Sequence, residues 1–517
     1  MRVSIVPTAH GALYWIESET VKPSAIVLNR RCKLAADDCI NAKGEFTGNW
    51  NPAPYSCFAA CEPDDAAGVI RVAVSFKSQE QAETFLREEL VGRTFDELAH
   101  EAKAQWDGLL SRVRIEGVDE TERRRFYSHL MHALVQPRDR TDDGIGWDDH
   151  YTLWDTWRTL YPLLTLIDPE TVAGVVNSFG ERFARTGCCE TAYTSGKEYK
   201  TGQGGDEADV VIADAVAKGV PALDAKKLVP LLESRWDGRT RGYRERGFVA
   251  VGEREDYCRR FKSGSGTMSF AWEDWCVGTA LNGLGANGSR FLSRSANWTN
   301  IWDKTCTDEQ TGVCGFVRAR NSDGTFCPTA PRDGFNTDFY EANCWEYSFF
   351  VPHDIPGLIR LSGGRDAFLR RLELAFENGV VAFDNEPSFQ IPWLFDYVGR
   401  RDLACKWAYE MRRRFTSDGC PGDDDSGAMG ALYIFLTAGF FPLAGSDLYA
   451  LHSPMATRVV FCTKEGGREF VVEAPGWRPG LLMTGPVWLN GVKLIKPFIH
   501  HRDIIRGGVL RFEGLTR

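Results

Sequence analysis

Apolar and polar residues alternate along short stretches near both ends of the chain, with the period of two that is typical of β-strands. Residues 68–76 show this alternation clearly, and the whole of 1–76 is predicted to form strands. Near the other end, 458–462 and 469–473 have the same pattern. Asn490-Gly491 follows a further apolar stretch and predicts a hairpin turn.

Between about 78 and 440, apolar side chains recur every three or four positions, which predicts one helix after another. Ser78 with Gln81, and Thr94 with Glu97, have capping-box spacing and predict the starts of two helices. Many short helices without strands between them favour a helical array or an (α/α) barrel. A third helix is expected to begin near Asp119 and to direct these side chains inward: Phe126, Tyr127, Leu130, Met131 and Leu134.

Composition narrows the classes of function. A net charge of −10 argues against nucleic acid as a partner, because phosphate binding needs a basic surface. The 16 Trp, 15 Tyr and 31 Phe residues suit either a large core or walls that stack on sugar rings. No apolar run is long enough to span a membrane, and the first residues lack the apolar region of a signal peptide. The 15 cysteines lack CxxC spacing, so a zinc site is disfavoured and a cytoplasmic location is expected for the chain as it stands.

Three consecutive carboxylates, Asp423 to Asp425, lie between glycines just before the apolar run 429–436. One interpretation is a solvated acidic loop in which Asp or Ser caps the helix that follows. The other is a catalytic carboxylate held on a rigid turn at the start of that helix. The loop alone does not decide between them.

A second candidate stretch is Trp154-Asp155-Thr156-Trp157-Arg158. On a helix, Asp155 and Arg158 would share one face, three positions apart, with Trp154 beside them. This arrangement is typical either of a weak surface ion pair or of a clamp on sugar hydroxyl groups.

Two further stretches carry carboxylates in unusual company. Glu341 lies among Tyr340 and Trp345, where poor solvation would raise its pKa toward that of a general acid, although a hydrogen-bonded core acid fits equally well. Asn385 and Glu386 precede a proline, and their side-chain oxygens could bind a hard cation such as calcium. A helix N-cap with proline at the first position explains the same residues.

In this order along the chain, the motifs resemble family-92 glycoside hydrolases, which are calcium-dependent inverting exo-α-mannosidases. The resemblance extends from near residue 68 to the C-terminus. Its pieces are 153–158, 163–169, 211–215, 341–345, 351–354, 385–387, 421–427, 445–447, 453–454 and 489–491.

The resemblance implies an (α/α)6 barrel at 119–445, preceded by linker helices at 78–118 and a partial N-terminal β-sandwich at 1–77, and followed by a β-strand region at 446–517. The family's sandwich is usually longer and its loops complete the sugar pocket. An oligomer or a partner that supplies the missing sandwich is therefore one expectation, and a secreted or periplasmic location is expected if the N-terminus is truncated.

The resemblance also implies an activity: removal of terminal α-linked mannose from an oligosaccharide or glycoprotein glycan, with inversion and with Ca²⁺ as cofactor. By position, Glu341 would be the general acid and Asp425 the general base, supported by Asp423. Asn385 and Glu386 would belong to the calcium site. The expected contacts with the sugar are Trp154, Asp155, Arg158, Trp345 and Glu346.

Two positions depart from the family pattern: Glu207 stands where histidine is common, and Glu346 stands where glutamine is usual. Two other functions also fit the fold. A mannosyl-phosphodiester hydrolase would need little protonation of its leaving group, and a carbohydrate-binding protein would need neither carboxylate. Glu341 and Asp425 are both present, which favours a mannosidase over either alternative.

Overall fold

A computed structural model describes residues 2–17, 25–26, 39–41, 46–47, 58–64, 68–148, 152–194, 196–199, 205–253, 261–417, 419–463 and 467–516. The chain divides into two compact units. The first consists of Met1–Ser111, Arg138–Asp149 and Thr194–Lys197, and the second of Arg112–Pro137, His150–Tyr193 and Glu198–Arg517. The four-part division drawn from the sequence stays a prediction.

The first unit contains a four-stranded antiparallel sheet in the order Arg2–Pro7, Gly11–Glu17, Val69–Ser75, Phe58–Asp64. The strand expected at 68–76 is thus confirmed, whereas the strands expected in most of 18–57 lie outside the described residues. Further short strands are Ala25–Ile26, Cys39–Asn41, Phe46–Thr47, Arg138–Arg140 and Gly146–Asp148.

Both helix starts expected in the first unit are confirmed. The helix Gln79–Phe85 begins at Ser78, whose side chain accepts a hydrogen bond from the Gln81 amide at 3.1 Å. The helix Phe95–Leu110 begins at Thr94, and Thr94 and Glu97 form the reciprocal capping box. A five-residue π-helix, Leu86–Leu90, connects the two, and its apolar side chains join the core of the sheet.

The second unit is mainly helical. Two helices form much of its buried interior: Ser263–Gly283 packs against Ala208–Ala217, and every residue of Ala428–Ala438 is buried. Its other helices are Glu120–Ala133, Leu153–Thr156, Leu160–Ile167, Pro169–Thr186, Ala225–Gly238, Arg241–Arg246, Ser289–Arg294, Cys344–Tyr347, Ile355–Leu361, Arg365–Glu377, Leu394–Tyr397, Arg401–Arg412 and His501–Ile505, with 3₁₀ turns at Ser295–Ile301, Glu386–Ser388 and Ile391–Trp393. Among the described residues, no helix has both the length and the apolar character needed to cross a membrane.

The helix Glu120–Ala133 begins at Asp119, as expected, and Asp119 caps it by accepting a hydrogen bond from the Glu122 amide at 2.8 Å. Phe126 and Leu130 are buried. The prediction that Met131 points inward is wrong, because Met131 is 38% exposed. It follows Leu130 directly, and one position along a helix turns a side chain about 100° away from its neighbour's face.

A six-stranded sheet closes the second unit, in the order Val492–Lys493, Val487–Leu489, Gly508–Phe512, Arg468–Glu473, Arg458–Thr463, Val113–Glu116. The strands predicted at 458–462 and 469–473 are confirmed, and so is the hairpin, whose turn residues Asn490 and Gly491 both have positive φ. Val113–Glu116 is a strand of this sheet, although it lies in the segment 78–118 that is predicted to form linker helices. The remaining strands are Ala192–Thr194, Lys197–Tyr199, Trp302–Thr307, Cys314–Val317, Phe440–Pro442, Leu448–Leu451, Leu482–Met483, Phe498–His500 and Leu515–Thr516.

Candidate active site

A cavity of about 920 Å³ opens in the second unit, and most of its wall is polar or acidic. Four of the predicted site carboxylates, Glu341, Glu346, Asp423 and Asp425, line it together with Asn385. Asn343 and Gly422 lie within predicted motifs, and Tyr340 and Asp384 directly precede two of them, but none of the other eight described lining residues is predicted as a site residue. These are Lys262, Phe335, Asn336, Tyr340, Asn343, Ala382, Asp384 and Gly422.

Glu341 is held in a backbone conformation that few residues other than glycine adopt, with φ of +52°. Two hydrogen bonds fix it there. The Glu341 amide donates to Asn336 Oδ1 at 2.8 Å, and Asn385 Nδ2 donates to the Glu341 carbonyl oxygen at 2.8 Å. Such a residue is disfavoured by about 1–3 kcal/mol and persists only when its surroundings enforce it. The loop therefore fixes where the Glu341 side chain enters the cavity.

The acidic loop before the helix Ala428–Ala438 contains three consecutive residues with positive φ: Asp425, Ser426 and Gly427, at +44°, +61° and +94°. Asp424 caps the helix, because its Oδ1 accepts a hydrogen bond from the Gly430 amide at 2.9 Å. The capping interpretation is thus confirmed for Asp424, while its neighbours Asp423 and Asp425 line the cavity. The tight turn thus gives the three carboxylates different surroundings. Asp424 bonds to the helix, whereas Asp423 and Asp425 lie in the cavity wall, where they can contact a ligand.

Asp155, Glu386 and Asp425 form an acidic cluster, in which one oxygen from each lies within 4.8 Å of the others. Asp155 and Glu386 are each 1% exposed. Burial raises the pKa of Asp155 well above its ordinary range, and it raises that of Glu386 to about 8; the neighbouring negative charges add to both shifts. Burial and the charges of Asp423 and Glu341 raise the pKa of Asp425 to about 6.

The acidic cluster has the donors that a hard cation prefers. Asp155 Oδ2 and Glu386 Oε1 are buried, and neither has a hydrogen-bond partner among the residues that the structure describes. Carboxylate oxygens without partners repel one another at close range, and a cation bound among them offsets that repulsion. Calcium suits such a site because it binds six to eight oxygen ligands. Asn385 lies next to the cluster, and its Oδ1 accepts a hydrogen bond from the Glu386 amide at 3.2 Å. The residues present therefore fit a calcium ion.

The model of the glycosyl hydrolase family 92 catalytic domain matches residues 81–514. The chain belongs to glycosyl hydrolase family 92. The predicted membership is confirmed, and the match includes Asp155, Glu341, Glu386 and Asp425.

Individual family-92 relatives are similar over most of this chain. An uncharacterized secreted glycosidase of Arthroderma benhamiae is 28% identical over an alignment of 482 residues, and the match covers 85% of this chain and 60% of that protein. A family GH92 α-mannosidase from Bacteroides thetaiotaomicron has a TM-score of 0.75 and 26% identity, over 86% of this chain and 62% of its own. The GH92 glycosyl hydrolase ccman5 has a TM-score of 0.79 at 18% identity, over 99% of this chain and 80% of its own.

These likenesses confirm the predicted fold, a mainly helical (α/α)6 barrel with a β-rich N-terminal domain. The chain spans about three fifths of the length of the first two of these relatives.

Two of the predicted sugar contacts of this family-92 chain, Glu346 and Trp345, lie in different surroundings. Glu346 lines the large cavity, although its carboxylate already accepts hydrogen bonds from the Ala382 amide at 3.0 Å and from Ser388 Oγ. Trp345 is fully buried and donates from Nε1 to Asp308 Oδ2 at 2.6 Å. Since it packs on Phe316 and does not line the cavity, the structure does not support a sugar contact for Trp345.

Asp155 and Arg158 do not share a helix face as expected, because the helix Leu153–Thr156 is only four residues long. Asp155 joins the acidic cluster, whereas Arg158 lines a different cavity and lies over the rings of Trp154 and Trp157. Trp154 is 2% exposed and contacts Tyr340 edge to face. Neither Trp154 nor Arg158 lines the large cavity.

A second group of carboxylates, Asp206, Asp209 and Glu273, also lies close enough together to hold a metal ion. Here, however, Arg239 forms ion pairs with all three, at 2.9 Å to Glu273 and 3.1 Å to Asp209. Arg235 pairs with Asp209 as well, at 2.9 Å. The guanidinium groups supply the positive charge that a cation would otherwise bring, so this group is a buried ion-pair network.

Proposed function

We propose that the protein is a glycoside hydrolase that removes terminal α-linked mannose from glycans, with inversion and with calcium. The observation that carries the proposal is the presence of Glu341 and Asp425 in one cavity of about 920 Å³, beside a buried acidic cluster. Hydrolysis of a glycosidic bond needs two carboxyl groups, and inversion needs room for a water molecule between them. The family membership adds to this support.

The solved relative from Bacteroides thetaiotaomicron gives the substrate class its support. It is an α-mannosidase, and its structure in complex with mannoimidazole has a TM-score of 0.76 with this chain at 25% identity. We infer that the partner of this protein is a mannose-containing oligosaccharide or a glycoprotein glycan. Of the two predicted locations, the secreted one has support from the relative of Arthroderma benhamiae, which is named as secreted.

In the proposed mechanism, Glu341 donates its proton to the oxygen that leaves with the rest of the glycan. Asp425 accepts a proton from the water that attacks the anomeric carbon. With a pKa of about 6, Asp425 is mostly ionised at neutral pH yet is a stronger base than an ordinary aspartate. Asp423 is exposed beside it, and its charge contributes to that raised pKa.

Asp155 and Glu386, with Asn385 beside them, would hold the calcium ion. When bound, the calcium ion would supply positive charge and could be ligated by neighbouring sugar hydroxyl groups. One oxygen of each buried carboxylate has no hydrogen-bond partner among the described residues, and Asp425 is the member of the acidic cluster that also lines the cavity. This difference in exposure is why we assign the metal to the first two and the water to the third.

The direct test is hydrolysis of an aryl α-mannoside, with proton NMR of the first sugar released. We expect β-mannose from the wild-type protein and no release above background from Glu341→Gln on a substrate with a poor leaving group. An α-sugar as the first product would exclude inversion. No release of mannose from any α-mannoside would leave the carbohydrate-binding alternative in its place.

One observation favours a second candidate, a mannosyl-phosphodiester hydrolase. Lys262 lines the cavity and is the only basic side chain among the lining residues that the structure describes. A phosphate leaving group is stabilised by a cation and needs little protonation. The two functions separate in Glu341→Gln, which should lose activity on mannosides but keep activity on a mannosyl phosphodiester.

A further inference from the structure

A second cavity, of about 170 Å³, lies in the same unit and shares no lining residue with the large one. Its wall is mostly apolar and unusually rich in aromatic rings. An engineered protein cavity of about 150 Å³ binds benzene, so this one has room for a single six-membered ring. The aromatic residues include Trp157, Trp272, Trp275, Phe389, Trp393 and Phe441.

Of the wall residues that the structure describes, Arg158 is the only arginine or lysine, and it is 5% exposed. Its Nε donates to the Trp154 carbonyl oxygen at 3.2 Å, and its guanidinium carbon lies 4.4 Å from the ring centre of Trp157. Among the residues that the structure describes, no carboxylate forms an ion pair with it and no acceptor takes a hydrogen bond from either terminal nitrogen. The four terminal N–H groups of Arg158 thus donate no hydrogen bond there, although the nearby charges of Glu386 and Asp155 act on its guanidinium.

Two more donors lie around the same cavity. Trp272 Nε1 and Gln390 Nε2 are buried, and neither has a partner among the described residues. His353 adds no charge, because burial lowers its pKa to about 4, and its Nε2 is used in a 3.1 Å hydrogen bond to the Ser295 carbonyl. Buried donors in folded proteins are normally satisfied, so this surplus calls for a ligand that brings acceptor oxygens.

We propose that this cavity binds a small planar molecule carrying one carboxylate, with its ring between the tryptophans and its carboxylate on Arg158. A guanidinium donates two parallel hydrogen bonds to a carboxylate, which is the strongest use of its unpartnered N–H groups. A free sugar fits poorly, because an apolar wall leaves most of its hydroxyl groups unsatisfied. The proposed binding does not rest on the proposed mannosidase activity.

In the test, benzoate is titrated into the full-length protein and binding is followed by tryptophan fluorescence. The tryptophans of the cavity wall provide the signal. Benzyl alcohol, with the same ring and no charge, is the matched control, and methyl α-mannoside is the second. We expect benzoate to bind at least about tenfold more tightly than benzyl alcohol, since a charged hydrogen-bonded pair contributes that much. Equal affinity for the two, or no binding of either, overturns the proposal; the latter result means that the cavity holds water only.

Two variants locate the binding. Ala444→Leu adds bulk to the wall and should abolish the benzoate response. Arg158→Leu should lose the preference for benzoate while still binding benzyl alcohol, because the ring pocket remains. Circular dichroism checks that each variant is folded, and the comparison of ligands on the wild-type protein stands even if one is not. Unchanged benzoate binding in folded Arg158→Leu contradicts the proposed contact.

Discussion

Asn385 donates a hydrogen bond from its side-chain nitrogen to the carbonyl oxygen of Glu341 at 2.8 Å. It thereby connects the segment that carries Glu386 to the loop that carries the proposed acid. The same nitrogen lies 3.5 Å from Glu341 Oε2. Because Glu341 has a positive φ, this bond helps to hold a conformation that the residue would not otherwise prefer.

Replacing Asn385 by alanine should therefore lower activity more than stability. We expect turnover of an aryl α-mannoside to fall about 10- to 100-fold, because a loosely held catalytic side chain loses its geometry. The free energy of unfolding should fall by only about 1 kcal/mol, as for a typical lost hydrogen bond. Measurement of kcat and of urea unfolding on the same preparation checks both, and a variant with normal kcat would remove the positioning role.

Asp424 and Asp425 are neighbours with opposite expected roles, and their variants form a matched pair. Asp425→Asn should lower kcat by orders of magnitude with little change in unfolding free energy, because the proposed base is lost while the shape is kept. Asp424→Ala should instead destabilise the protein by about 1 kcal/mol, because it removes the cap on Gly430. Comparable loss of kcat in both variants would mean that the loop as a whole, rather than Asp425, carries the chemistry.

The sequence sufficed for the order of motifs and for the starts of three helices, at Ser78, Thr94 and Asp119, since capping pairs such as Thr94 with Glu97 act locally. It also selected the carboxylates that meet at the site. It did not predict the positive φ of Glu341, Asp425 and Ser426, because no periodicity marks a non-glycine residue in the left-handed region. At Glu341 the conformation is held by hydrogen bonds with Asn336 and Asn385, which lie outside its own turn of chain.

The errors have equally specific causes. Trp345 is the last residue of a motif that does carry a site residue, yet its indole lies in the core and donates a hydrogen bond to Asp308. Asp155 and Arg158 are predicted on one helix face, but the helix ends at Thr156, and only Asp155 belongs to the acidic cluster. Phe335 lines the cavity and is 60% exposed, and an exposed aromatic residue has no signature in a sequence taken alone.

Gly430 should tolerate no side chain. A Cβ added there would lie 2.5 Å from the carbonyl oxygen of His129. The helices Ala428–Ala438 and Glu120–Ala133 pack at that point with backbone against backbone. We expect Gly430→Ala to lower the free energy of unfolding by about 1–3 kcal/mol. Gly238→Ala is the control, since a Cβ there meets nothing within 4 Å and alanine favours a helix. Denaturant unfolding should show a clear loss of unfolding free energy in Gly430→Ala and little loss or a small gain in Gly238→Ala. Equal stability of the two variants would contradict the close packing.

Glu386 should make the stability of the metal-free protein depend on pH. Its pKa in the folded state is about 8, against an ordinary value of 4.5, so the folded state binds the proton more tightly than the unfolded state does. The stabilisation is full below about pH 4.5 and is lost as the pH rises through about 8. With a chelator present, Tm should therefore fall between about pH 5 and about pH 8.

Calcium should reverse this trend, because a cation favours the ionised carboxylates of Asp155 and Glu386. At about pH 8, added calcium should raise Tm and restore activity after the chelator, and the rise in Tm should be lost in Glu386→Gln. That variant in metal-free form should also show a weaker fall in Tm with pH, since an amide does not titrate. A chelator that changes neither Tm nor activity would remove the metal from the acidic cluster.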